Sequence, residues 1–250
     1  MAEEGKSTVR AVERALDILQ CFTLGTDFAM TEIAERVGLH KSTVHRMLST
    51  LEDRGFVERD SGTERYRLGF RVWELSAHLT SSDDPAVIWQ PEMERLRNAV
   101  GETVSLYVRS GGERIRIQAV QSNQAVRRVA TVGARLPLYV GASSKVLIAF
   151  ADEPTQQEIF TELETIQPPV VNRHMFECQM IEIRRNGYAM SIEEREPGAA
   201  AVSAPIYDRH QRLIAALSVS GPSSRLTTER MREIAPAIIE AASRMGTMAR

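Results

Sequence analysis

Cysteine is nearly absent. The 250 residues hold two, Cys21 and Cys178, far apart and without a CxxC neighbour. That excludes a disulfide framework and a cysteine-rich metal site, and it fits a reducing, cytoplasmic setting. No apolar run approaches the roughly 20 residues that span a bilayer, so no membrane partner is expected. The opening Met1-Ala2-Glu3-Glu4-Gly5-Lys6 lacks the apolar stretch of a secretory signal. An excess of one charge is missing too: 31 basic against 33 acidic residues leave −2. Phosphate contacts supply most non-specific affinity for nucleic acid, so only a local concentration of positive charge leaves that partner open. Histidines are few and scattered. His174 and His210 have no triad or ligand pattern around them, and His40 and His45, five apart, do not share a helix face. No metal and no cofactor are expected.

What is present begins with helical spacing. Apolar residues at Val12, Ala15, Leu16, Ile18, Leu19 and Phe22 predict a helix with one buried stripe. Gly25-Thr26-Asp27 reads as a break. A short helix is predicted over Met30 to Val37, capped by Thr31 or the residue before it, and Gly38 ends it. A second helix runs from Lys41 to Asp53, stopped by Gly55. Phe56–Arg59 and Arg65–Leu68 flank the turn-rich Asp60-Ser61-Gly62-Thr63 and read as a β-hairpin.

Thr31 to Leu51 carries the strongest signal. Two helices crossing steeply need a tight joint and a shared apolar seam. Ile33, Val37, Leu39, Val44, Met47 and Leu48 supply the seam, Ala34 permits close approach, and Gly38 takes the turn. With those positions buried, the later helix is left presenting His40, Lys41, Ser42, Thr43, His45 and Arg46, donors suited to base edges and phosphates in a major groove. Arg65 and Arg67 alternate with Tyr66, so both are expected to face one way, as a wing beside the minor groove. From His40 to Arg71 seven basic residues stand against five acidic ones. The bland alternative is a winged helix used for protein contacts.

Beyond the hairpin, Phe70 to Leu79 is again helical, and Ser81-Ser82-Asp83-Asp84-Pro85 reads as the boundary. A helix over Ala86 to Val100, kinked at Pro91, leads into strands at Val104–Val108 and Arg114–Val120 around Gly111-Gly112. Val126–Val132 alternates like a strand. Helices follow at Ser143–Phe150, Thr155–Leu163 and Glu177–Asn186. Three strand-like runs (Tyr188–Ile192, Ala200–Tyr207, Leu213–Ser220) precede a last helix from Thr228. Cys178 reads as an ordinary cysteine on a polar helix rather than a reactive thiol, and Glu193–Glu196 as a charged loop or as paired carboxylates. At Gly141-Ala142-Ser143-Ser144-Lys145 two readings stand level: free helix amides anchoring a carboxylate, or a serine N-cap.

Ordered motifs along nearly the whole chain resemble the IclR family of transcriptional regulators. They include Ala11–Leu19, Thr31–Leu39, Lys41–Leu48, Tyr66–Gly69, Leu136-Pro137-Leu138, Ala142–Lys145, Arg185–Ala189, Glu193-Glu194 with Pro197-Gly198, Ala204-Pro205-Ile206 and Ala215–Pro222. The resemblance implies an α+β chain: a winged helix-turn-helix over 9–69 behind a disordered leader 1–8, a linker helix over 70–84, and a GAF-like α/β effector-binding domain with a mainly antiparallel sheet over 85–250. It also implies a homodimer or dimer of dimers on palindromic double-stranded DNA, and an effector pocket at Ala125, Arg128, Leu136, Ala142, Ser143, Ser191, Ala201, Ser218 and Ser220.

Relatives that bind small keto acids carry an acidic residue where this chain has Ser191 and a cysteine where it has Ala201. That departure, with Arg128 as a guanidinium partner, implies a larger or aromatic organic acid. Effector binding would shift the population of sensor-domain arrangements and, through the linker, the spacing of paired recognition helices, with repression the default direction. The rivals are a GAF-like enzyme behind a vestigial winged helix and a protein-interaction module.

Overall fold

The computed structural model describes residues 9–77, 85–127, 129, 131–166 and 173–249. The expected leader, the end of the linker helix and Arg128 lie outside the described residues. The chain divides into two compact units, Met1–Ser81 and Ser82–Arg250.

The first unit runs α1 (Arg10–Cys21), β1 (Asp27–Phe28), α2 (Met30–Val37), α3 (Lys41–Asp53), β2 (Val57–Arg59), β3 (Tyr66–Leu68) and α4 (Phe70–Ala77). Its three short strands pair antiparallel in the order β1-β3-β2. Ile18, Ile33, Val44 and Leu48 are fully buried beside Phe28, Val57 and Tyr66, with Val37, Leu39 and Met47 packed against them. This is the seam expected from the sequence. Each such aliphatic side chain contributes about 1.5–3 kcal/mol by leaving water.

Three local expectations are corrected. In α1 the buried residues are Ile18 and Cys21, with Phe22 just past its end, while Val12 and Leu16 remain exposed. The break at Gly25–Asp27 ends in strand β1, whose Phe28 pairs with Tyr66. Helix α2 starts from Ala29, not Thr31. Glu32 reaches back to accept the Ala29 N–H at 2.7 Å, leaving Thr31 exposed in the first turn. Helix α4 forms from Phe70 as expected; its Phe70 and Trp73 stack at 5.1 Å and each is 62% exposed.

The second unit runs α5 (Pro85–Ile88), α6 (Gln90–Val100), β4 (Thr103–Ser110), β5 (Glu113–Val120), β6 (Arg135–Pro137), α7 (Ala142–Ala149), α8 (Glu153–Glu164), α9 (Arg173–Asn186), β7 (Ala189–Ile192), β8 (Ala199–Tyr207), β9 (Leu213–Pro222) and α10 (Thr228–Met248). Six strands form one antiparallel sheet in the order β6-β5-β4-β9-β8-β7. The expected single helix from Ala86 is two, because Pro91 opens a new helix instead of kinking an old one. Val126–Val132 is not a strand in its described part; Val126 and Val129 are each 70% exposed.

Strand parity sorts the sheet into two unlike faces. Val104, Leu106, Val202, Ala204, Ile206, Ala215, Leu217 and Val219 pack with α6 and α10 into one core. There the Trp89 indole N–H donates to the Met245 carbonyl at 2.6 Å. The alternate residues point the other way, toward α7, α8 and α9. Tyr107 and Ala216 join the core there, but Ser105, Arg114, Arg116, Ser191, Ser203, Ser218 and Ser220 are buried on it as well. A polar patch inside a helix-covered sheet requires an explanation, because each buried hydroxyl or guanidinium loses its water.

Candidate functional site

Two places gather polar chemistry. The first is the start of α3. Gly38 ends α2 in the left-handed region at φ 63, and the Leu39 N–H donates to the Ala34 carbonyl at 3.1 Å, so the chain turns tightly between the helices. His40 then caps α3: its Nδ1 accepts from the Ser42 amide at 3.4 Å and lies 2.8 Å from the Ser42 hydroxyl. Lys41, Ser42, His45 and Arg46 are exposed, and Thr43 is half-buried. The first turn of α3 contains no acidic residue. Among the described residues, no carboxylate pairs with Lys41 or Arg46. These two cations face solvent unopposed.

The wing is different. Arg65 precedes β3 and folds back on the body of the unit. Its Nε meets the Asp27 carboxylate and its Nη2 the Glu32 carboxylate, the latter at 2.9 Å. Arg67 lies across β2–β3 from Glu58 and pairs with it at 3.1 Å. Both arginines of the expected wing are thus held by carboxylates.

The second place is a cavity on the polar face of the six-stranded sheet. Ala142, Ser143, Ser191, Ala201, Ser218 and Ser220 line it, and so do Tyr107, Arg114, Arg116, Gly141, Glu194, Arg195, Ala199 and Ala200. Six of the nine pocket positions implied by resemblance are therefore brought together. Leu136 instead packs against the core under α7, Ala125 is exposed on the loop after β5, and Arg128 lies outside the described residues. The free volume is about 50 Å³, room for a few waters. Arg195, on the 193–198 loop, lines the cavity with its side chain 28% exposed.

Gly141 caps α7 at φ 93 without any side-chain hydrogen bond, which removes the serine N-cap reading. Instead the Ser144 hydroxyl donates to the Pro137 carbonyl at 3.2 Å. The Glu194 carboxylate accepts the Gly141 N–H at 3.1 Å and pairs with Lys145. An anion already sits at this helix start, as the dipole and free amides favour. Arg114 donates to the carbonyls of Pro137 and Val140 and to the Ser144 hydroxyl. Burial pushes its guanidinium down to about 10. Arg116 places Nε and Nη2 at 3.0 and 2.6 Å from the Tyr107 hydroxyl. The sequence reading missed both arginines, although Arg114-Ile115-Arg116-Ile117 carries the alternation that sends them to one face. Cys178 is exposed, and among the described residues no cluster of His, Cys, Asp and Glu is arranged to hold a metal.

A helix-turn-helix joined to a separate cavity-bearing α/β unit defines a ligand-responsive transcription regulator. The IclR helix-turn-helix domain model matches residues 11–61, and the model of the bacterial transcriptional regulator IclR C-terminal domain matches residues 77–247. The chain belongs to the IclR family, whose members are DNA-binding regulators and not enzymes.

The HTH-type transcriptional regulator BhcR of Paracoccus denitrificans is 30% identical over 97% of this chain and 88% of its own length. The acetate operon repressor of Salmonella typhimurium is 30% identical over 94% and 88%. A crystal structure of an IclR homolog from Microbacterium hydrocarbonoxydans, complexed with 4-hydroxybenzoate, superposes with a TM-score of 0.82 at 27% identity, covering 96% of this chain and 99% of that one.

Proposed function

We propose that α3 enters the major groove with Lys41, Ser42, Thr43, His45 and Arg46 toward the duplex, while His40 holds the helix start. The observation that carries this reading is the pair of unopposed cations, Lys41 and Arg46, on an exposed face free of acid in its first turn. Arg46 reads a base or phosphate, Lys41 meets the backbone, and Arg65 and Arg67 support the wing. Two copies bind a palindromic operator with half-sites about 34 Å apart; the exposed Phe70–Trp73 stack supports a partner copy, since apolar surface of that kind marks interfaces. Dimer and dimer of dimers both satisfy the symmetry. The protein works in the cytoplasm, in keeping with its sparse cysteine and the absence, among the described residues, of a helix able to cross a membrane.

The effector is an organic acid held at Ala142, Ser143, Ser191, Ala201, Ser218 and Ser220. The cationic lining supports this, as does the relative bound to 4-hydroxybenzoate. Repression is the favoured direction, in line with the repressor among the relatives. The test is a footprint on DNA upstream of this chain's own gene and its neighbours, with and without candidate acids. A protected palindrome, weakened by Arg46→Ala and altered by an acid, is expected. A folded protein that prefers no fragment over random DNA removes the reading.

A further inference from the structure

The cavity holds more positive charge than its own residues cancel. Lys145 is paired with Glu194, and Arg195 with Glu196 at 2.8 Å. Arg114 and Arg116 remain, 4% and 5% exposed, and among the described residues neither has a carboxylate within ion-pairing distance. Their hydrogen bonds run to neutral oxygens: carbonyls and a serine for Arg114, and the Tyr107 hydroxyl and the Thr131 carbonyl for Arg116. Buried charge left uncompensated is costly.

Other donors nearby are unfilled as well. Arg114 Nε is buried with no hydrogen-bond partner, as are the hydroxyls of Ser105 and Ser203, both of which pair in register with Ser218 of the cavity floor. The Tyr107 hydroxyl accepts from Arg116 and so keeps its own proton to donate. Position fixes the spacing. Arg114 lies at the start of α7, its Nη2 3.2 Å from where a Cβ on Gly141 would stand. Arg116 is two residues along the same strand and face, which separates their backbones by roughly 7 Å.

Resting on the reading that this cavity takes an organic acid, we infer that the acid is a dianion: one carboxylate beside Arg114, the other against Arg116 and Tyr107. The class is a dicarboxylate with its acid groups at opposite ends of a ring or a short chain. Two negative charges match the two unpaired guanidiniums, and a monocarboxylate leaves one of them unmatched.

Calorimetry on the full chain tests this with matched pairs, terephthalate against benzoate and adipate against hexanoate. At least one dianion is expected to bind about tenfold or more tightly than its partner, as a charge-assisted pair warrants. Arg116→Gln should weaken the dianion more than the monoanion and bring that ratio near one; Arg116→Lys should retain most of the preference. A purely structural role for Arg116 would weaken both members equally and overturn the proposal. Equal binding of both members of each pair by the unaltered chain, a result independent of how any variant folds, would overturn it and leave the organic-acid reading standing. Binding of no acid at all would sink both.

Discussion

Lys41 and Arg46 on α3 and Arg114 and Arg116 on β5 bring the same chemistry to opposite surroundings. The first pair stands in water, unopposed, on a helix whose packing needs only its other face. The second pair is buried on the helix-covered face of the sheet, and its cost is met by carbonyls, a serine, a tyrosine and, by the inference above, a ligand. Exposed charge acts at a distance and is screened by salt. Buried charge acts at contact and sets what fits. On the readings proposed above, the chain places a long-range attractor for a polyanion in one unit and a short-range selector for a small anion in the other.

The largest way to separate the two is ionic strength. Raising salt from 50 to 200 mM should cut operator affinity by roughly a thousandfold for a dimer making several phosphate contacts, and acid affinity, measured in the same buffers, by only a few-fold. Comparable losses in both would erase the distinction. Next comes Leu48→Ala, which removes a fully buried side chain from the smaller core. It should cost about 2–5 kcal/mol and abolish DNA binding, with calorimetric acid binding in the second unit retained.

Arg46→Ala should weaken operator binding about tenfold, within the range of one good base or phosphate contact, at unchanged melting temperature. Gly38→Ala should cost about 1–2 kcal/mol by denaturant titration. No atom lies within 4 Å of the added Cβ, so the whole effect comes from the left-handed backbone. Smallest is Thr31→Ala. Glu32, not Thr31, serves the start of α2, so thermal unfolding should move by less than about 0.5 kcal/mol, whereas an N-cap would lose about twice that.

The first unit was largely legible because its helices are set by neighbours in sequence. Ile33, Val37, Val44 and Leu48 recur at helical spacing, and Gly38 marks the joint. Strand β1 escaped notice because two residues carry no period, and only pairing with β3, some 40 residues on, makes Asp27–Phe28 a strand. Val126–Val132 failed for the converse reason: it alternates, but its valines find no sheet to cover. In the cavity, Ser191, Ala201, Ser218 and Ser220 were reached only through resemblance, while Ala142 and Ser143 also stood in a helix start that the residues alone left level between a carboxylate anchor and an N-cap. Arg114 and Arg116 were passed over because on an exposed strand the same Arg-Ile alternation is an ordinary solvated face. Their burial depends on α7 and β6, which return from further along the chain. Arg65 shows the same limit, since its partners Asp27 and Glu32 lie more than 30 residues away.

The two-faced sheet has a consequence for how such a protein changes over generations. Along β8 and β9 the residues that hold the fold together and the residues that line the cavity take turns. If the cavity is the effector site proposed above, exchanging Ala201, Ser218 or Ser220 alters what is tasted without touching Val202, Leu217 or Val219. Sliding either strand by a single position would swap the two sets wholesale, and the hydrophobic side forbids it. Appetite is therefore free to drift while the scaffold stands still.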